Sequence, residues 1–197
     1  MKRIIGITGG IASGKSTVSN YLINQGYKLV DCDKLTASSY LDCFEEIKKA
    51  FPDCIINNEI SRPLLAKCVF SDEIQKEKLE SIIHPYVRNK MQEVIDSTRD
   101  GLVFLDIPLL FEARMEDLCD EIWVVYVPKQ LQLTRLMSRN QMDEKTALMR
   151  IHSQMDLDKK KQKADIVIDN SKDLDYLYQQ VKKRLEELND EKFIKPR

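Results

Sequence analysis

The sequence predicts an α/β fold in which a five-stranded parallel sheet is flanked by helices, and three observations carry that expectation. Five short apolar runs are bounded by turn or polar residues. Their apolar character is continuous instead of alternating, as in strands covered on both faces. Helical spacing fills the stretches between them, the pattern of parallel strands joined by crossovers.

The first strand is read at residues 4–8, followed by a glycine-rich loop and then by Val18, Tyr21 and Leu22. That apolar stripe of helical spacing is closed by Gly26, a natural left-handed cap. A second strand is expected at residues 28–30 and a third at 102–106. The roughly seventy residues between them are too many for one crossover helix. They hold helical pieces around Leu41, Phe44, Ile47 and Phe51, around Leu79, Ile82 and Ile83, and one opened by Pro85 that carries Val87, Met91, Val94 and Ile95. An inserted helical subdomain is therefore expected. The last two strands are read at residues 122–127, where Trp123 is a core residue, and 165–168. Leu174, Leu177, Tyr178, Val181, Leu185 and Leu188 then form the cleanest amphipathic stripe, and its polar ending at 189–192 is expected to fray.

Composition removes several classes of function. With 197 residues, 43% of them hydrophobic, and only six Gly and six Pro, the chain is neither disordered nor fibrous. No apolar run is long enough to cross a bilayer, and the opening residues lack the apolar stretch of a signal peptide, so a cytoplasmic protein without membrane contact is expected. Cys32, Cys43, Cys54, Cys68 and Cys119 are widely scattered with no C-x-x-C pair, which suggests reduced thiols and neither a disulfide framework nor a zinc site. A net charge of −1 argues against a general nucleic-acid binder. Between Arg135 and Lys163, however, eight Lys/Arg stand against four Asp/Glu. A local basic segment on a neutral chain points to a small polyanion.

Directly after the first strand comes Gly9-Gly10-Ile11-Ala12-Ser13-Gly14-Lys15-Ser16-Thr17, a complete G-x-x-x-x-G-K-[ST] phosphate loop leading into a helix. Glycines let backbone N–H groups turn toward phosphates, and the helix start adds its positive dipole end. Lys15 can reach the β- and γ-phosphates and Ser16 can ligate Mg²⁺. A nucleoside triphosphate is the ligand this loop is built for. The third strand delivers Asp106 to the carboxyl edge of the sheet, the usual place of an acid that holds Mg²⁺ directly or through water, although an Asp in that turn can also cap a helix.

The second strand ends in Asp31-Cys32-Asp33, two carboxylates at i and i+2 that point the same way on an extended chain. A kinase acting on a hydroxyl needs a base there, because an alcohol is protonated at neutral pH, and Asp33 or Asp31 is the candidate. A pair that merely caps the next helix fits the spacing equally well. Arg135 and Arg139 share one helix face with Gln132, opposite Leu133, Leu136 and Met137, and Arg150 and the lysines at 159–163 extend the basic region. Guanidinium groups suit phosphate, and such sites often close with an arginine-bearing flap; a solvated surface helix is the alternative. His84 and His152 sit in no metal-ligand pattern.

With these residues in view, the sequence resembles the dephospho-coenzyme A kinase family from the first strand to about Leu185. The resemblance lies in Gly6-Ile7-Thr8-Gly9-Gly10-Ile11 before Ser13-Gly14-Lys15-Ser16-Thr17, in Asp31-Cys32-Asp33, in Arg62-Pro63-Leu64 and Val69-Phe70, and in Leu79-Glu80-Ser81-Ile82-Ile83-His84-Pro85. It continues through Asp106-Ile107-Pro108-Leu109-Leu110-Phe111-Glu112, through Gln132, Arg135-Leu136, Arg139 and Gln154, and through Ala164-Asp165 to Asn170. The resemblance implies a P-loop kinase that phosphorylates the ribose 3′-hydroxyl of dephospho-coenzyme A with MgATP, the last step of coenzyme A synthesis. It implies Asp33 as base, with Lys15 and Arg139 stabilising the transferred group, and ATP held by residues 9–17 and Asn170. It further implies Mg²⁺ at Ser16 and Asp106, an acceptor site with Asp31, Arg62, His84, Pro108 and Leu109, a helical acceptor-binding insertion over 33–94 and a lid over 135–160. ATP and dephospho-coenzyme A are then the partners of a chain expected to be a monomer. Two positions depart from the family's pattern: Cys32 stands where alanine is common, and Ala12 where glycine is usual, which matters if that position adopts a positive φ.

A switch GTPase is disfavoured, since Gln162-Lys163-Ala164-Asp165 precedes its strand where a guanine-reading N/T-K-x-D motif would follow one, and Asp106 does not open a D-x-x-G. The length leaves no room for the further domains of a transport or assembly ATPase. A nucleoside or sugar kinase is the nearer competitor.

Overall fold

Along the chain the elements run β1 (Lys2–Gly9), α1 (Lys15–Asn24), β2 (Lys28–Asp31), α2 (Cys32–Asp42), α3 (Phe44–Ala50), β3 (Ile55–Ile56), β4 (Glu59–Ile60), α4 (Arg62–Ser71), α5 (Glu73–Ser97), β5 (Gly101–Asp106), β6 (Glu121–Tyr126), α6 (Lys129–Asn140), α7 (Glu144–His152), α8 (Leu157–Gln162), β7 (Ile166–Asp169) and α9 (Leu174–Glu191). This computed structural model describes residues 2–191. Its contacts divide the chain into two units, residues 31–96 and the remainder.

In the larger unit the five apolar runs form one parallel sheet in the order β2-β5-β1-β6-β7. The register pairs Ile7 with Asp106 across β1 and β5 and Ile7 with Trp123 across β1 and β6. Because β1 lies between β5 and β6, the loop that follows it leaves from the middle of the carboxyl edge, where ligands bind in such sheets. One face is covered by α1 and α9, and there Ile5, Ile7, Val18, Leu22, Phe104, Trp123, Leu177 and Val181 form a single buried cluster. Tyr21 of α1 stacks on Tyr178 of α9 with ring centroids 4.7 Å apart. Gly26, at φ +81°, ends α1 as its spacing predicts. The Gly26 N–H donates to Ile23 O and the Tyr27 N–H to Leu22 O, the paired bonds of a Schellman cap. The α9 stripe runs through Leu188, and the helix continues to Glu191; of the predicted frayed end, Lys192 lies outside the described residues.

The smaller unit corrects three expectations. The helix expected around Leu41 to Phe51 is two helices, α2 and α3, parted at Cys43. The two helices expected on either side of Pro85 are one, α5, with Pro85 inside it. Pro85 removes one backbone bond, but Leu79, Ile83, Val87, Met91 and Ile95 form an unbroken buried stripe at four-residue intervals, and that burial outweighs a local cost of about 3 kcal/mol. The unit also holds a hairpin, β3 with β4, that the sequence reading did not anticipate. Its two-residue turn, Asn57-Asn58, has both φ values positive, at +51° and +61°, which asparagine tolerates better than most residues.

Among the described residues no helix is long and apolar enough to cross a membrane. All five cysteines are free thiols.

Candidate active site

The phosphate loop folds around its own backbone. The Ser13 N–H donates to Gly10 O, and the Thr17 N–H donates to Gly14 O where α1 begins. Gly14 takes φ +93°, and a Cβ there would collide with the Asn170 carboxamide, so both conformation and space require glycine. The neighbouring elements then hold the loop open. Gln132, buried on α6, donates to Ile11 O at 2.8 Å, and the Ile11 N–H donates to Gln154 Oε1 at 2.8 Å. Asn170 donates to Ser13 O at 2.8 Å, and Arg135 donates to Asn170 O at 3.0 Å. Of the basic face read on α6, Arg135 is thus tied to the end of β7, while Arg139 is exposed and bonds Asn140.

The Ala12 departure proves material, because Ala12 takes φ +60°. Left-handed backbone costs a non-glycine residue about 1–2 kcal/mol. The Ala12 methyl packs, with Ile11, on the cluster of Leu133, Leu136, Ala147 and Ile151 between α6 and α7. Burying one methyl offsets that cost by about 0.8 kcal/mol, so the departure is tolerable but strained.

Asp106 stands at the carboxyl edge as expected and is buried. One oxygen pairs with Lys15 and the other accepts from Ser19 Oγ at 2.6 Å. The Lys15–Asp106 pair and Ser16 in the first turn of α1 therefore share one corner of the site. The Lys15 and Ser16 N–H groups that open α1 lack intrahelical partners and belong to the same corner. Just beyond Asp106, Pro108 O accepts from Thr8 Oγ1 at 3.0 Å, and Leu109 is exposed.

Two features of this unit were not legible. Ser19, one turn along α1 from Lys15, orients Asp106. Lys160, read only as part of a basic run, is fully buried, donating to Pro108 O at 2.9 Å and pairing with Glu112 Oε1 at 2.9 Å. Its burial shifts its pKa downward. The one signal was its position three residues after Leu157, which puts both on one face of the short α8. Asp165, part of the segment weighed against a guanine-reading motif, accepts from the Ile122 N–H at 2.8 Å where β6 begins, at the opposite end of the sheet from the phosphate loop.

In the smaller unit, Asp31 and Asp33 do not share an extended strand. The helix starts at Cys32, which makes Asp31 the cap of α2, accepting from the Lys34 N–H at 3.2 Å, and leaves Asp33 exposed in its first turn. The i, i+2 argument therefore fails for this pair. Arg62, exposed at the start of α4, lies over the Tyr40 ring at 5.0 Å, and His84 is half-buried on α5 beside Pro85. No group of three or more His, Cys, Asp or Glu able to hold a metal occurs among the described residues.

A parallel sheet with a complete phosphate loop at its central strand, an acid at the next strand's end and a basic helix behind it define a P-loop kinase. The comparisons with known proteins narrow this. The dephospho-CoA kinase family model matches residues 3–175, and the chain belongs to that family. The dephospho-CoA kinase of Oceanobacillus iheyensis is 45% identical over 184 residues, covering 89% of this chain and 92% of that one. Among solved structures, a Thermus thermophilus protein superposes with a TM-score of 0.85 at 37% identity, covering 95% of this chain and 98% of its own. The dephospho-CoA kinase from Campylobacter jejuni does so with a TM-score of 0.75 at 30% identity, covering 98% and 100%. The chain is accordingly an enzyme, a kinase with ATP as its phosphoryl donor.

Proposed function

We propose that the chain transfers the γ-phosphoryl group of MgATP to the ribose 3′-hydroxyl of dephospho-coenzyme A, completing coenzyme A. The observation that carries this reading is the phosphate loop, complete in sequence and held open at the centre of the sheet, in a chain of this family. Ser13 supports it, since its buried hydroxyl has no hydrogen-bond partner among the described residues and suits a phosphate oxygen.

The residues then take the following roles. The amides of the loop and of the first turn of α1 bind the β- and γ-phosphates, and Lys15 swings from Asp106 to the same oxygens. Asn170, which bonds the loop at Ser13 O, is assigned to the nucleotide by the family resemblance. Ser16 Oγ and the Asp106 carboxylate are hard oxygen donors of the kind Mg²⁺ prefers. With Lys15 on the phosphates, Asp106 keeps the Ser19 bond on one oxygen and can hold the ion with the other, directly or through water. When bound, Mg²⁺ would neutralise charge on the β- and γ-oxygens. By the family resemblance Asp33, in the first turn of α2, is assigned to orient and deprotonate the hydroxyl, and Asp31, whose carboxylate caps that helix, belongs with the acceptor residues. Arg139, exposed on α6, closes on the transferring group as part of a lid over 135–160. Arg62, His84, Pro108 and Leu109 are assigned to the acceptor. The working unit is read as a cytoplasmic monomer, and five free thiols suit a reducing compartment.

Steady-state rates on dephospho-coenzyme A, nucleosides and sugars test the reading. Dephospho-coenzyme A is expected to lead the panel by orders of magnitude, and a nucleoside or sugar ahead of it would replace the assignment. With the preferred acceptor, Asp33→Asn should lower kcat by about 10²–10⁴ with ATP affinity nearly intact, the range of a lost general base. An unchanged kcat would remove Asp33 from that role.

A further inference from the structure

Among the described residues Lys160 is the one Lys or Arg side chain that is buried, at 0% exposure, and an ammonium is buried only where its charge and donors are matched. Its three N–H donors meet three acceptors: Pro108 O at 2.9 Å, Gly9 O at 3.4 Å and Glu112 Oε1 at 2.9 Å. Gly9 is the last residue of β1 and the first of the phosphate loop. Pro108 follows Asp106 by two residues, and its carbonyl also takes the Thr8 hydroxyl. Glu112 in turn accepts from the Met155 N–H at 2.9 Å, which fixes the chain leading into α8, and Gln154 in that same stretch accepts from the loop's Ile11 N–H. One cation thus ties the root of the phosphate loop to the segment that carries Asp106.

We propose that Lys160 is a positioning residue for the triphosphate site, setting the Gly9 and Pro108 carbonyls so that loop and Asp106 face the same phosphates, and that the other lysines of the 159–163 run have no part in this. This rests on the reading of the loop as an ATP site and not on the identity of the acceptor. The alternative, a diffuse basic patch, would spread the effect over the run. Lys159, Lys161 and Lys163 are exposed, and two of them lie over rings, Lys161 over Tyr126 at 4.1 Å and Lys163 over Phe111 at 5.0 Å.

The test is equilibrium binding of MgATP and of adenosine, which has no phosphates, to the full chain and to Lys160→Met and Lys163→Met. Lys160→Met should raise the Kd for ATP at least about tenfold while the Kd for adenosine stays within about twofold, a split that a general loss of structure would not produce. Lys163→Met should leave both within about twofold. Should Lys160→Met fail to fold, Lys160→Gln, which keeps an N–H donor and loses the charge, is held to the same split. ATP affinity within twofold in the folded Lys160 variant, equal losses for ATP and adenosine, or an equal loss in Lys163→Met would each overturn the proposal. Failure of the unmodified chain to bind ATP would instead defeat the reading of the loop itself.

Discussion

At the amino end of the sheet, Glu121 is 3% exposed and its carboxylate is saturated. Oε1 accepts from Trp123 Nε1 at 2.6 Å and Arg184 Nε at 2.9 Å, and Oε2 from Arg184 Nη2 at 2.6 Å and Arg3 Nη2 at 2.9 Å. At the carboxyl end, Asp106 is nearly as buried, but among the described residues it accepts only from Lys15 and Ser19. A carboxylate has about four acceptor sites, so one end of the sheet has spent them all on the protein and the other has held half in reserve. Both clusters look alike as lists of buried charges. Their hydrogen-bond capacity separates a joint that ties β1, β6 and α9 together from a site that exchanges partners.

That contrast can be broken by substitution at each end. Lys15→Ala should lower kcat/KM by about 10³-fold, the scale of losing a cation that stabilises a transferring phosphoryl group, with little change in the urea midpoint. Glu121→Gln should do the reverse, costing about 3 kcal/mol of stability by leaving Arg184 and Arg3 without their buried partner, with kcat at 25 °C unchanged. A Glu121→Gln enzyme of normal stability and poor turnover would abolish the distinction.

A pH series sharpens it further. Burial by itself would raise the Glu121 carboxyl, but the hydrogen bonds from Arg184 and Trp123 and the charges of Arg184 and Arg3 outweigh it and leave the pKa below the ordinary value. A depressed folded pKa stabilises the fold above the unfolded value of about 4.3 and loses that contribution as pH falls through the folded one. The stability difference between the intact chain and Glu121→Gln should therefore be flat above about pH 5 and shrink on acidification below about pH 4, followed by urea unfolding. The smallest effect is expected at Ala12→Gly. Relief of left-handed strain and loss of a packed methyl oppose each other, and the urea midpoint should correspond to a change within about 1 kcal/mol.

The sheet and the phosphate loop were legible because their signals are local. Continuous apolar runs, a motif of fixed spacing and the Gly26 stop each need only neighbouring residues. Pro85 misled because its local preference to open a helix was overridden by a buried stripe from Leu79 to Ile95 that the helix could not abandon. The Asp31-Cys32-Asp33 spacing misled because the strand ends at Asp31, two residues short of what the argument required. Lys160 was hidden in the opposite way. In a run of lysines no local rule singles out the one whose ammonium three distant carbonyl and carboxylate groups enclose.

The central claim is that this carboxyl edge passes a phosphoryl group to an alcohol on dephospho-coenzyme A. Its most direct test is a single turnover with γ-labelled ATP, Mg²⁺ and dephospho-coenzyme A, followed by locating the label in the products. The account predicts label on the ribose 3′-oxygen in step with ATP consumption. Label only in inorganic phosphate, or on another position of the acceptor, would contradict it.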